Sequence, residues 1–255
     1  MGIKQILLSV VAMCGIVGAG AKPATEVVAH RGYWKAEGSA QNSVASLKKA
    51  IEIGARGSEC DVYITTDGVV VVHHDPTIDG KRIDESTYAA LKDCKLSNGE
   101  AIPTLDELLA IARKQKHTKL IIEIKSHNTQ EKEAAAVDAV LKLVKKNKMD
   151  KLVEYISFSQ NVCERLIALS PKAKVAYLGS DLTPKQLSDK GYTGLDYHIG
   201  AMRAHEEWFD EAKQLGLEVN VWTVDDEPNM NWLIGKGVTY ITTDGPVMLQ
   251  KLLAE

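Results

Sequence analysis

Glu59, Asp61 and His74 are the residues whose types and spacing first suggest chemistry. Glu59-Cys60-Asp61-Val62-Tyr63-Ile64 reads as a strand. Side chains alternate faces along a strand, so the two carboxylates point one way and Cys60 the other. Asp67-Gly68 is a hairpin turn signal and Val69–Val72 a returning arm, which carries His74 back towards the acids. His73, its neighbour, then faces away. Two acids and a histidine so placed suit metal-assisted acid/base work. A solvated acidic face on an edge hairpin is the plainer alternative, and the rest of the chain must separate the two.

The elements that position these residues follow from hydrophobic periodicity. Strand-like runs fall at Glu26–His30, Ser58–Ile64, Val69–His73, Lys119–Ile124, Val153–Phe158, Lys174–Leu178, Thr193–Tyr197, Glu218–Thr223 and Tyr240–Thr243. Helical stripes lie between most of them, such as Val44, Leu47, Ile51 and Ala134, Val137, Leu141, Val144. Thr104 with Glu107, and Thr183 with Gln186 around Pro184, read as capping boxes. The third run follows the second too closely for a parallel crossover, so it is the returning arm of the hairpin. Eight parallel strands joined by helices remain. The expected fold is therefore α/β, a (β/α)₈ barrel with a hairpin extension. The stretch from Asp75 to Pro103, with a helical piece over Glu85–Lys95, is expected to form a short cap insertion at the C-terminal mouth. A doubly wound sheet is the alternative, but no Gly-rich phosphate loop follows the first strand.

Such barrels do chemistry at the C-terminal strand ends. Those ends carry His30-Arg31-Gly32, Glu59 and Asp61, Glu123 and Lys125, and Asn220 and Trp222, with His74 added by the hairpin. Glu59, Asp61 and Glu123 would repel one another at one pole. One divalent cation, Mg²⁺ or Ca²⁺, would resolve that, since oxygen donors suit hard ions. His30 and His74 can move protons near neutral pH, and Arg31 and Lys125 can meet an anionic group. The combination suits phosphoryl chemistry. Trp222 can be a substrate wall or packing, Asn42 a helix N-cap, and Lys125 a simple partner of Glu123. His117, His127, His198 and His205 take no role.

At these positions the chain resembles the glycerophosphodiester phosphodiesterases. The matching residues are His30-Arg31-Gly32, Asn42, Gly54, Glu59-x-Asp61-Val62, Thr66-x-Gly68, His74-Asp75, Ile102-Pro103-Thr104-Leu105, Glu123-Ile124-Lys125 and Trp222-Thr223-Val224. The resemblance implies a (β/α)₈ phosphodiesterase with His30 and His74 as acid and base. It also implies Glu59, Asp61 and Glu123 as metal ligands, and Arg31 and Lys125 at the phosphate. Two departures touch substrate choice: Ala40-Gln41-Asn42 stands where the family has Pro-Glu-Asn, and Thr77-Ile78-Asp79-Gly80 lacks an arginine common there.

Net charge is −3 with both signs interspersed. No basic stripe appears, which argues against nucleic acid or an anionic membrane as an electrostatic partner; the partner the resemblance implies is a small phosphodiester substrate. Residues 1–21 read as a secretory signal peptide, with Lys4, an apolar run from Ile6 to Val17 and a small-residue cleavage site at Ala19-Gly20-Ala21. A lipoprotein signal through Cys14 fits less well, because Met13 precedes it. The expected mature domain is 22–255, exported to a periplasmic or extracellular space, with no stable membrane insertion. Cys60, Cys94 and Cys163 remain after cleavage, an odd and widely spaced set that is no disulfide framework.

The reaction the resemblance implies is metal-dependent hydrolysis of glycerophosphodiesters to an alcohol and glycerol phosphate, through a cyclic phosphate. Competing readings are a phospholipase D- or C-like enzyme on lysolipids or intact lipids, and a catalytically silent barrel that binds phosphorylated ligands. A two-carboxylate glycosidase leaves the histidines unexplained.

Overall fold

Eight parallel strands close on themselves in the computed structural model, which describes residues 25–255. The leader expected over residues 1–21 lies outside the described residues. In chain order the elements are β1 (Glu26–Ala29), α1 (Val44–Glu52), β2 (Gly57–Ile64), β3 (Val70–Val72), β4 (Thr77–Ile78), β5 (Lys81–Arg82), a 3₁₀ turn (Ile83–Glu85), α2 (Tyr88–Leu91) and α3 (Leu105–Ala112). There follow β6 (Lys119–Ile124), α4 (Gln130–Asn147), β7 (Val153–Ser157), α5 (Gln160–Leu169), β8 (Val175–Tyr177), α6 (Pro184–Asp189), β9 (Gly194–His198), α7 (Ile199–Ala204), α8 (Glu207–Leu215), β10 (Glu218–Trp222), α9 (Glu227–Lys236), β11 (Tyr240–Thr243) and α10 (Pro246–Ala254). The barrel runs β1, β2, β6, β7, β8, β9, β10, β11 and back to β1. β3 lies antiparallel on β2, with Val62 opposite Val72, and so is the returning arm the short turn requires.

Alternation along the strands sorts the core into two layers. Outward residues such as Val27, Cys60, Val62, Leu120 and Ile122 pack under the helices. Inward residues Val28, Ile121, Ile156, Leu178 and Tyr240 form a separate cluster inside the barrel. The N-terminal pole is closed by charge: Arg56 forks onto Glu154 at 2.6 and 2.7 Å and lies 4.1 Å over the Tyr240 ring. Both capping boxes form, at Thr104 with Glu107 and at Thr183 with Gln186. On α4 the buried stripe is Ala136, Val137, Val140 and Val144, rotated from the expected one so that Ala134 and Leu141 flank it. Its contacts with α3 and α5 on either side set that rotation. Cys60, Cys94 and Cys163 are free and buried.

The segment after His74 contains two short paired strands, β4 and β5, and only one turn of helix, α2, in place of the longer helical piece. Ile78, Ile83, Leu91, Cys94, Leu96 and Ile102 pack together with Tyr63 and Val71 of the hairpin and with Ala40. The Glu100 carboxylate accepts from the amides of Val44 and Ala45 at 2.9 and 3.2 Å, completing the N-terminus of α1 beside its Ser43 cap.

Candidate active site

Pairing of β2 with β6 sets Asp61 directly beside Glu123. Alternation puts Glu59 on the same inner face. Glu59, Asp61 and Glu123 are all buried, and each offers one carboxylate oxygen within 4.8 Å of the others. Asn42 fixes Asp61 from both sides: its Nδ2 donates to Asp61 Oδ2 at 2.8 Å, and its Oδ1 accepts from the Asp61 amide at 3.0 Å. The N-cap of α1 is Ser43, so Asn42 is not the cap the sequence allowed but a clamp on the central acid. It can turn inward because its backbone is left-handed, with φ 59°, a region asparagine tolerates better than most side chains.

Arg31 is also left-handed, with φ 53°, and Gly32 follows at φ 76°. That turn directs the Arg31 amide at Glu59 Oε2, 2.7 Å away. A Cβ at position 32 would stand 2.4 Å from Ser46 Oγ, so only glycine fits there. The Arg31 guanidinium donates to Gln41 Oε1 at 2.6 Å, and its Nε lies 3.6 Å from Asp61 Oδ2. Gln41, the departure from the family pattern, is therefore a support for the arginine. Lys125 bridges the acids, 3.1 Å from Asp61 Oδ1 and 2.7 Å from Glu123 Oε1.

Protonation follows from burial and these charges. Burial pushes Glu59 well above the usual carboxylate range, and the charges of Asp61 and Glu123 push the same way. Glu123 rises to about 8, from burial and the Asp61 charge, against the pull of Lys125. Burial would also raise Asp61, but Lys125, the Asn42 hydrogen bond, His74 and Arg31 outweigh it and hold it low. Lys125 is held above its ordinary value, since the two carboxylates outweigh its own burial. Ionising Glu59 and Glu123 beside Asp61 would set three carboxylate charges against the two cations Arg31 and Lys125, and Glu59 Oε1 has no hydrogen-bond partner among the described residues. The three carboxylates thus fit a hard divalent cation.

Each candidate histidine is paired with an aspartate. The His30 Nδ1–H donates to Asp244 Oδ1 at 2.8 Å, and Asp244 also accepts from Trp34 Nε1 at 2.8 Å. The His74 Nδ1–H donates to Asp75 Oδ1 at 2.7 Å. In both rings Nε2 is then the nitrogen that can exchange a proton. Burial lowers the His74 pKa, with Lys125 and Arg31 adding to it and Asp61 and Asp75 opposing. His73 turns away and pairs with the Asp75 carbonyl.

These groups share a cavity of about 160 Å³. Its lining combines the polar His30, Arg31, Glu59, His74, Glu123 and Lys125 with the apolar Ile121, Ile156, Phe158, Leu178 and Trp222, and Asp196 and Thr242 complete it. Trp222 is a wall of the cavity, its indole N–H donating to the Asp196 carbonyl at 2.8 Å. Phe158 and His198 meet its ring edge-on at 5.6 and 5.3 Å. Asn220 does not join the site. It lies two residues below Trp222 and bonds Thr242 inside the barrel.

Two side chains escaped the sequence reading. Asp244 stands one residue past β11, the strand end left out of the strand-end inventory. Asp196 is a lone acid in an apolar strand, a signal visible in the sequence. Burial pushes its carboxyl up to about 7, with Asn220 beside it pulling down.

Comparison with known proteins agrees with this geometry. The model of the glycerophosphoryl diester phosphodiesterase family matches residues 30–248. A glycerophosphodiester phosphodiesterase from Caldanaerobacter subterraneus is 29% identical over 245 residues, covering 90% of this chain and 98% of that protein. The crystal structure of a glycerophosphodiester phosphodiesterase from Parabacteroides distasonis superimposes with a TM-score of 0.90 at 50% identity, over 92% of this chain and 98% of that one. A phosphodiesterase from Oleispira antarctica, solved with the product sn-glycerol-3-phosphate, gives 0.79 at 25% identity, over 91% and 98%. With the match running from His30 past Asp244, across every residue of the cavity, this chain belongs to the glycerophosphoryl diester phosphodiesterase family.

Proposed function

We propose that the protein hydrolyses glycerophosphodiesters to an alcohol and glycerol phosphate, with one divalent cation, Mg²⁺ or Ca²⁺, held by Glu59, Asp61 and Glu123. The observation that carries this reading is one cavity shared by two aspartate-paired histidines, a buried carboxylate set and two cationic side chains. When bound, the cation supplies charge to a phosphate oxygen and acidifies the hydroxyl beside the phosphoester. Arg31 and Lys125 hold the phosphate.

Among the described residues no serine, cysteine or threonine side chain bonds His30 or His74, whose partners are Asp244 and Asp75, so the attacking oxygen is assigned to the substrate or to water,. The hydroxyl next to the phosphoester is already positioned and loses little further entropy. His30, with a side chain 19% exposed, takes its proton at Nε2. His74, 38% exposed at the rim, protonates the alcohol that departs towards solvent. Water then opens the cyclic phosphate with the histidine roles reversed.

The test is release of alcohol from glycerophosphocholine, glycerophosphoethanolamine, glycerophosphoinositol and lysolipids, with and without chelator. Release from the first three that stops on chelation is expected. One observation favours a second reading: Phe158 is 44% exposed beside Trp222 and offers an apolar rim. Preferential cleavage of lysolipids would select it. We further propose export of the protein, which rests on the pattern of residues 1–21 alone and is checked by fractionating cells that express the full chain.

A further inference from the structure

Asp196 is the one acidic side chain in the cavity that the carboxylate cluster and the histidine pairs leave without a task. It is 2% exposed in the middle of β9, and its Oδ1 has no hydrogen-bond partner. Buried carboxylate oxygens are seldom left so, because the lost solvation is not recovered. Trp222 Nε1–H goes to the Asp196 backbone carbonyl, and Asn220 Nδ2 donates to Thr242 Oγ1 while lying beside the Asp196 carboxyl. Pairing of β9 with β10 sets His198 beside Trp222 and Asp196 beside Asn220. Asp196 therefore lies one side-chain layer below the Trp222 wall, about 7 Å along the strand. It lines the cavity together with the apolar Ile121, Ile156 and Leu178, with Trp222 and with Thr242.

A glycerol phosphoester seated here has its phosphate at Arg31 and Lys125 and the adjacent hydroxyl at His30. In that proposed seating the terminal hydroxyl is the polar group of the glycerol unit still without a partner, and inside the cavity it needs an acceptor. We propose that this terminal hydroxyl donates to Asp196 Oδ1, making Asp196 the residue that selects glycerol phosphoesters over those of diols without a terminal hydroxyl. The inference rests on the proposed function and deepens it. A site built around a hydroxyl rejects the analogue that lacks it, since the buried acceptor then stays unpaired.

The experiment compares calorimetric affinity for sn-glycerol 3-phosphate and for propane-1,2-diol 1-phosphate, which keeps the adjacent hydroxyl and lacks the terminal one. Both are titrated with Mg²⁺ or Ca²⁺ present. The unaltered protein should prefer glycerol 3-phosphate by at least about tenfold. In Asp196→Ala the preference should shrink to within about twofold. If that variant does not fold, Asp196→Asn decides: the neutral amide accepts more weakly than a carboxylate, so the preference should drop several-fold. A preference absent from the unaltered protein, or undiminished in the variants, overturns the inference while glycerophosphodiester turnover stands. Absence of turnover of every glycerophosphodiester overturns the proposed function and this inference with it.

Discussion

Asp244 decides what His30 can do. Its carboxylate holds the ring by Nδ1 and favours the tautomer with Nε2 free to accept a proton,. It is half buried and kept low, since the His30 and Trp34 hydrogen bonds outweigh its burial. Asp244→Asn keeps the shape but can present an amide N–H to Nδ1 and so favour the opposite tautomer. We expect kcat to fall about 10²-fold or more, with KM changed little. Steady-state kinetics on glycerophosphocholine checks this, and a KM effect equal to the kcat effect would speak for a binding role instead. The neighbouring histidines give a second prediction. His74→Ala should cost about 10²–10⁴ in rate. His73→Ala should cost far less, because His73 bonds only the Asp75 carbonyl outside the cavity.

At the scale of the element, the hairpin and the segment after it act as one support for the loop that carries Arg31. The hairpin turns because Asp67-Gly68 allows it, with Gly68 at φ 81°. The following segment then packs on Tyr63 and Val71 and sends Glu100 back to the first turn of α1. That helix has no acidic residue in its first turn, so Glu100 supplies from elsewhere the negative charge its N-terminus favours,. Glu100→Ala should destabilise the protein by about 1 kcal/mol. Chemical denaturation measures this, and an unchanged midpoint would show the contact to be idle. The Arg31 loop ends on α1 through Ser46, whose hydroxyl donates to the Arg31 carbonyl at 3.0 Å. Strain at two left-handed residues is thus held in place by a helix, which is held by the insertion.

Over the whole molecule, the carboxylate cluster couples stability to pH and, on the proposed reading, to a cation. Glu59 and Glu123 have raised pKa values in the folded state. Between the ordinary value of 4.5 and about 8, the folded state keeps the proton on Glu123 that the unfolded chain has lost. Stability from this source is present at low pH and declines as pH rises through that window. The proposed divalent cation would hold the ionised acids only in the folded barrel and so reverse the loss. We expect the melting temperature in chelator to fall from pH 5 to pH 8, and the gap to the Mg²⁺- or Ca²⁺-loaded protein to widen over the same range. Differential scanning fluorimetry checks both, and a gap that does not depend on pH would detach the cation from these carboxylates.

Local physics explains why so much could be read from the chain alone. Period-two alternation placed Glu59 and Asp61 on one face, a Gly turn required β3 to run back, and crossover length reduced nine runs to eight barrel strands. Each of these is settled within a few residues or by a connection length. The carboxylate cluster needed β2 beside β6, a pairing that joins residues 62 apart at Asp61 and Glu123. The His30–Asp244 pair closes across 214 residues, from the first barrel strand to the last. Asn42 looked like a cap because its neighbours are helical; only the left-handed turn at Arg31 and Asn42 reveals it as the clamp on Asp61. Asn220 and Asp196 are register partners on neighbouring strands, yet barrel packing satisfies the first and leaves an oxygen of the second without a partner among the described residues. Residue type and spacing determined the chemistry available to this protein. Closure of the barrel decided which side chains share one low-dielectric space, because burial and through-space charge arise only when distant strands meet.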